Sequence, residues 1–482
     1  MKTTQQQVIS GVFFTAIAKY SNLVISLVVT AVLARLLSPD QFGVIAIAMV
    51  IIAFLNLIAD IGLFPAVIQY KDLDRKELGE LFSLSCYLGL LLALVLFFIS
   101  PFLGNYYKEP LLENVVKLLS ISLFFTASSV VPNALFYRER MFKFIAIRSF
   151  IVQVILGVIS IVAAFSGVGI YALLINPILY SILIFIVSYF HFPLPFKFKI
   201  SLNSLQPVLK YSSFQFLFNI VNYFGKNSDT LLIGKYLGVD LLGYYDKAYQ
   251  LMSLPLQNIT QVITPVIHPI LSMKKDDTRQ LIAASEELVR LLALIGFPLA
   301  AFLYFSAGDL IYLFFGPQWD QAIPVFQILS LTIGFQLILS SSGSIFQTTG
   351  DTKSMFFSGL FSAVLNVTGI LIGIFYFKSI LAVGKCLSIT ISMNFIFTYW
   401  LMYIKIFKRG MIKFLYLFLK PVLASLFLGA LLYICTMLFI FDVIWLRLLL
   451  KSVVSLLFFT AFVWFGGYKS YVDQYLKKGE TK

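Results

Sequence analysis

Apolar stretches of about twenty to twenty-five residues succeed one another along most of the chain, separated by short turns where the charged residues collect. A helix rises about 1.5 Å per residue and the bilayer core is roughly 30 Å thick, so each stretch is long enough to span it. About fourteen can be counted, at approximately 10–34, 42–69, 80–103, 114–136, 144–166, 169–190, 208–234, 242–272, 284–306, 323–348, 355–377, 379–404, 415–440 and 443–466. Runs such as Leu88–Ile99, Ile155–Phe165 and Ile178–Val187 are apolar on every side and lack the alternation of barrel strands. Backbone groups in lipid must bond one another, which leaves helices. The pattern predicts an all-α polytopic membrane protein.

Composition agrees. Hydrophobic residues make up 60% and charged residues 12%, against about 25% charged in a soluble domain, and mean hydropathy is +0.93. The net charge of +14 is unevenly placed. With the N-terminus inside, the cytoplasmic turns hold Lys71, Arg75 and Lys76; Arg138, Arg140 and Lys143; Lys197, Lys199 and Lys210; Lys274, Lys275 and Arg279; Lys353; and Lys405, Lys408, Arg409 and Lys413. The opposite turns carry mainly Arg35, Lys108, Lys235, Lys378 and Arg447. This is positive-inside asymmetry, which places both termini in the cytoplasm and assigns the excess charge to topology and anionic lipid, with no nucleic-acid footprint. Cys86, Cys386 and Cys435 have neither disulfide nor metal spacing. No phosphate-binding Gly-rich loop, His-Glu-x-x-His or Gly-x-Ser-x-Gly is present, and the turns are too short for a catalytic domain, so an enzyme is not expected.

The chain repeats itself. Leu33–Gly43 resembles Ile233–Gly243 at a displacement of 200 positions, and Pro65 matches Pro265 at the same displacement. After a ten-residue slip, Leu119-Ser120 matches Leu329-Ser330, Phe136 matches Phe346 and Lys143 matches Lys353. Helices 1–6 and 7–12 therefore read as one unit used twice, with helices 13 and 14 added. The expected organisation is an N-terminal lobe at 1–192, a Pro- and Lys-bearing cytoplasmic linker at 193–207, a C-terminal lobe at 208–405, and helices 13–14 with the tail at 406–482. An even helix count inserts both copies in one orientation, related by an axis along the membrane normal, with a transport site at their interface.

Polar residues inside spans are costly and mark function. In helix 7, Gln215, Asn219, Asn222, Lys226 and Asp229 recur at spacings of 4, 3, 4 and 3, one helical face. Helix 1 carries Thr15, Lys19, Asn22 and Ser26 in an equivalent stripe. Helix 8 adds Asp246, Gln250, Ser253 and Gln257, and helix 2 adds Asn56 and Asp60. As a set these are expected to wall a central cavity; singly, each is as well explained by helix-to-helix locking, and Lys226 by neutralising Asp229. Arg148 lies within snorkelling reach of the cytoplasmic surface, and Lys247 and Lys385 are expected near the outer surface or snorkelling to it. Pro65, Pro132, Pro177, Pro255, Pro265 and Pro298 are candidate bends.

Leu33-Ala34-Arg35-Leu36-Leu37-Ser38-Pro39-Asp40-Gln41-Phe42-Gly43, with Asp60-Ile61-Gly62-Leu63 after it, resembles the first-hairpin signature of Wzx-type polysaccharide flippases. These belong to the multidrug/oligosaccharidyl-lipid/polysaccharide exporter superfamily, and the colanic-acid-exporter branch is the most similar. Phe315-Gly316-Pro317-Gln318-Trp319 and Phe346-Gln347-Thr348-Thr349-Gly350-Asp351 extend the resemblance over essentially the whole chain. It implies two six-helix lobes around a V-shaped cavity, helices 13 and 14 forming a groove for a polyprenyl tail, and a bacterial inner-membrane location. The implied substrate is an undecaprenyl-diphosphate-linked oligosaccharide, moved from the cytoplasmic to the periplasmic leaflet. Lys19 and Lys226 would then meet the diphosphate, while Asn22, Asn219, Asn222, Gln215 and Gln257 would meet sugar hydroxyls. Asp60 or Asp229 would be the site for a coupling proton or sodium ion; no other cofactor is expected. Membrane lipids and the polysaccharide polymerase or export machinery are the expected partners. The alternatives left open are a drug/cation antiporter of the same superfamily and a non-transporting scaffold or scramblase of polysaccharide assembly.

Overall fold

The computed structural model describes residues 4–70, 72–198, 220, 223–273, 277–439 and 441–466, with backbone alone for 4–13 and 264–270. The described residues form helices and turns, with no strand. In chain order the helices are α1 (Thr4–Leu36), α2 (Pro39–Asp60), α3 (Leu63–Gln69), α4 (Arg75–Tyr107), α5 (Pro110–Arg138), α6 (Phe142–Phe165) and α7 (Tyr171–His191). They continue with α8 (223–236), α9 (Val239–Ser272), α10 (Thr278–Phe305), α11 (Ala307–Phe314), α12 (Ala322–Ser330), α13 (Ile333–Thr349), α14 (Thr352–Leu371), α15 (Ile380–Met402), α16 (Ile412–Leu438) and α17 (Ile444–Phe465). Eleven spans are long and apolar enough to cross a membrane, and α12 with α13, bent by 51°, makes a twelfth. Among the described residues the total of eleven to twelve spans is roughly consistent with the expected fourteen. The architecture is that of an all-α polytopic membrane protein.

Helix starts follow local chemistry. Asp74 and Glu77 form a reciprocal capping box at α4, with Asp74 N donating to Glu77 Oε2 at 2.9 Å. Pro39 and Pro110 open α2 and α5, where a missing N–H costs nothing. Asp277 and Asp351 accept backbone N–H groups at the starts of α10 and α14. The Phe346–Asp351 motif thereby gains a physical reason: Gly350, at φ 73°, ends α13 and Asp351 starts α14.

Contacts divide the chain into residues 1–243 and 244–482. In the first unit α5 packs on α4, α7 and α2, while α1 packs on α6. Its core includes Leu63, Val67, Leu81, Phe82, Val131 and Leu194. The start of the linker is strapped to α4: Pro193 O accepts from Arg75 Nη2 at 3.1 Å, and Lys197 N donates to Ser83 Oγ at 2.7 Å. Gly79 permits this, since a Cβ there would lie 2.7 Å from Pro195 Cγ. In the second unit α16 packs on α10, and α14 on α15. An aromatic cluster of Phe395, Tyr399, Tyr403, Phe414 and Phe418 fills its core, with Tyr399 and Phe414 stacked at 4.7 Å.

The repeat has a structural counterpart within the first unit. A methyl group on Gly43 would overlap the Val239 carbonyl oxygen, and one on Gly243 would overlap the Pro39 carbonyl oxygen. The two contacts are reciprocal, each pairing a residue of one copy with the displaced equivalent of the other. Elsewhere the sequence reading needs correction. Arg148 is 8% exposed and does not snorkel; Ser188 and Asn133 bind it inside the fold. Lys247 does not snorkel either: it is 6% exposed, held by Gln250 Oε1 at 2.9 Å and Asp246 Oδ2 at 3.3 Å. Helix 2 breaks at Ile61 (φ 39°) and Gly62 (φ 78°), ahead of Pro65, which falls in the first turn of α3.

Candidate functional site

The helix 1 stripe divides between two environments. α1 lies so close to α6 that a Cβ on Gly157 would be 2.7 Å from Val29 Cγ2. Asn22 is half-buried, and its Oδ1 is enclosed without a hydrogen-bond donor among the described residues. Ser26 is exposed. Lys19 is half-buried, with Nζ 5.7 Å from the Tyr20 ring centroid. An ammonium on one turn and an amide oxygen on the next is a pairing that suits phosphate and sugar groups.

α8 behaves similarly. Lys226 is exposed, whereas Asp229, one turn on, is 6% exposed and accepts from Thr230 N at 2.8 Å. The helix is fixed to α2 by the Tyr223 hydroxyl, which donates to Val50 O, and by Phe54, 4.9 Å from the Phe224 ring. Gln215, Asn219 and Asn222 lie outside the described residues. Asp60 is half-buried at the break in helix 2, where its Oδ1 accepts from Phe64 N at 3.1 Å and so caps α3. In the second unit Gln257 is exposed on α9, its Nε2 3.4 Å from Ser253 Oγ.

A charged cluster that the sequence reading passed over lies in the second unit. Lys451 Nζ is 2.6 Å from Asp309 Oδ2, and Arg447 Nε is 3.2 Å from Asp309 Oδ1. The available signal was a second cation four residues after Arg447 in an otherwise apolar span, which puts both on one face.

Comparison with known proteins agrees with this architecture. The family described as "Polysaccharide biosynthesis protein" matches residues 32–324. The lipopolysaccharide biosynthesis protein WzxC of Escherichia coli K12 is 26% identical over 77% of this chain and 75% of its own. The teichuronic acid biosynthesis protein TuaB of Bacillus subtilis 168 is 25% identical over 89% of each. The succinoglycan biosynthesis transport protein ExoT of Rhizobium meliloti 1021 is 25% identical over 75% of this chain and 74% of its own. Among solved structures, the lipid II flippase MurJ in an inward closed conformation shares the fold at a TM-score of 0.74 and 17% identity, covering 94% of this chain and 98% of that one. An inward-facing multidrug resistance transporter follows at a TM-score of 0.62 and 15% identity, over 80% of this chain and 95% of that one. The matched segment spans more than half of the sequence, and the chain belongs to the polysaccharide biosynthesis protein family.

Proposed function

We propose that the protein is a flippase that carries an undecaprenyl-diphosphate-linked oligosaccharide from the cytoplasmic to the periplasmic leaflet of the bacterial inner membrane, with both termini in the cytoplasm. Family membership carries this reading, because relatives matched over three quarters or more of their length serve surface-polysaccharide synthesis. The lipid-flippase fold supports it, and so does the absence of any sequence motif for chemistry. Lobes at 1–192 and 208–405 would rock about a polar site exposed to each side in turn. Lys19 and Lys226 would attract phosphate oxygens, and Asn22, Ser26 and Gln257 would bond sugar hydroxyls. Asp229, an acid buried within a span, is the better of the two candidates for a coupling proton or sodium ion. The repeat unit would come from a cytoplasmic glycosyl-transfer pathway and pass to a polymerase outside.

The test is export by Lys19→Ala, Lys226→Ala and the double variant in cells lacking the native copy. A charge-assisted hydrogen bond contributes about 1.5–3 kcal/mol, so each single change should cut export about ten-fold or more. Loss of cationic-dye efflux with export intact would instead identify an antiporter; no change in either would identify a scaffold.

A further inference from the structure

α11 turns Asp309 toward α17, which presents Arg447 and Lys451 on one face. Lys451 Nζ also donates to Phe305 O at 2.8 Å, at the carbonyl end of α10 where positive charge is favoured. Asp309 and Lys451, both buried, neutralise one another, and Arg447, whose side chain is 36% exposed, brings the excess positive charge to the mouth of the site. The N–H of Arg447 Nε is not aimed at the carboxylate and has no acceptor among the described residues. Beside the cluster lies an open-mouthed cavity of about 100 Å³, bordered by Arg447, Lys451, Thr436 and the Asp309 carboxylate, with Phe439 and Leu450 as its apolar walls. That is far more room than one water needs.

The surroundings narrow the occupant. Tyr433, Met437, Trp445 and Leu449, on the outward faces of α16 and α17, are all exposed hydrophobic side chains facing away from the core. Tyr and Trp at this position also mark head-group level. A soluble anion would leave this apolar border unused, and a diphosphate would overcompensate one positive charge. We propose that the cleft between α11, α16 and α17 binds the phosphodiester of a net-anionic membrane lipid, with Arg447 and Lys451 holding its oxygens and its acyl chains lying along α16 and α17. The charged cleft is built from other elements than the polar stripes of α1 and α8; its border shares α16 and α17 with the groove that the resemblance assigns to a polyprenyl tail, and the diphosphate arm of the experiment separates the two.

The experiment is native mass spectrometry of the delipidated full chain with added phosphatidylglycerol, phosphatidylcholine, undecaprenyl diphosphate or inorganic phosphate. Arg447→Gln keeps the Lys451–Asp309 pair and so the helix contact. It should lower phosphatidylglycerol retention about ten-fold, the equivalent of one charge-assisted hydrogen bond, and Arg447→Lys should restore most of it. Thr436→Leu, which fills the cavity without touching the charges, should displace the same lipid, so the site can be judged even if Arg447→Gln folds poorly. Equal retention by wild type and both variants would overturn the proposal. So would equal retention of phosphatidylcholine, displacement by millimolar inorganic phosphate, or preference for the diphosphate.

Discussion

Arg148 pairs with no carboxylate among the described residues, yet it sits inside the first unit. Its Nη1 donates to Ser188 Oγ at 2.8 Å and its Nη2 to Asn133 Oδ1 at 2.9 Å. The guanidinium centre lies 4.9 Å from the Phe136 ring centroid and 6.0 Å from that of Phe144. Two neutral acceptors and two aromatic faces stand in for an anion, an arrangement that a planar, weakly hydrated guanidinium tolerates and a compact ammonium does not. Sequence reading placed this residue by its distance from the cytoplasmic turn alone; it could not see that Asn133 and Ser188, on α5 and α7, converge on it. Arg148→Lys should therefore destabilise by about 1–3 kcal/mol, since the ammonium stays buried while losing one bond and the stacking. Arg148→Met should cost less, because the charge leaves with the side chain. Thermal unfolding in detergent measures both, and a less stable Met variant would show that the two hydrogen bonds outweigh the buried charge.

The α2 and α9 termini meet backbone to backbone. Gly43 faces Val239 O and Gly243 faces Pro39 O, so the glycines of both repeat copies are needed for a single crossing. That is why Leu33–Gly43 could be recognised again 200 positions later: a close approach that admits no Cβ keeps its glycine in each copy. Gly43→Ala and Gly243→Ala should each lower stability by about 1–3 kcal/mol, the usual cost of overpacking. The double variant should be no worse than the more damaging single one, because the first already opens the shared contact. Gly359→Ala, in α14 with nothing within 4 Å of the added methyl, should be neutral or slightly stabilising. Additive losses in the double variant would mean that the crossing is two contacts and not one. The break in helix 2 was less legible. Pro65 drew attention, but the chain turns at Ile61 and Gly62, both left-handed, and Asp60 restarts the helix by capping α3. A β-branched residue at φ 39° is a conformation that no local sequence rule would assign.

For the molecule as a whole, spans were readable because a helix in lipid satisfies its own backbone and must be apolar nearly throughout, so local composition suffices. Pairings between distant side chains were not. Asp309 and Lys451 are 142 residues apart, and neither shows the partner it will meet. Orientation is an expectation of a different kind, since it depends on where cations fall among the turns and not on packing. It can be checked without reference to substrate. Asp72 lies in an exposed turn between α3 and α4, beside the basic residues Arg75 and Lys76. Lys378 is exposed in the turn before α15, on the side that carries few cations. In a cysteine-free background, Asp72→Cys should react with a membrane-impermeant maleimide only after the membrane is opened, whereas Lys378→Cys should react in intact cells. Cations in the turns assigned to the cytoplasm outnumber those in the opposite turns by enough that a single added charge should not invert the pattern. If the two positions exchanged behaviour, the termini would lie outside, and the leaflet from which a lipid-linked sugar enters would have to be reversed with them.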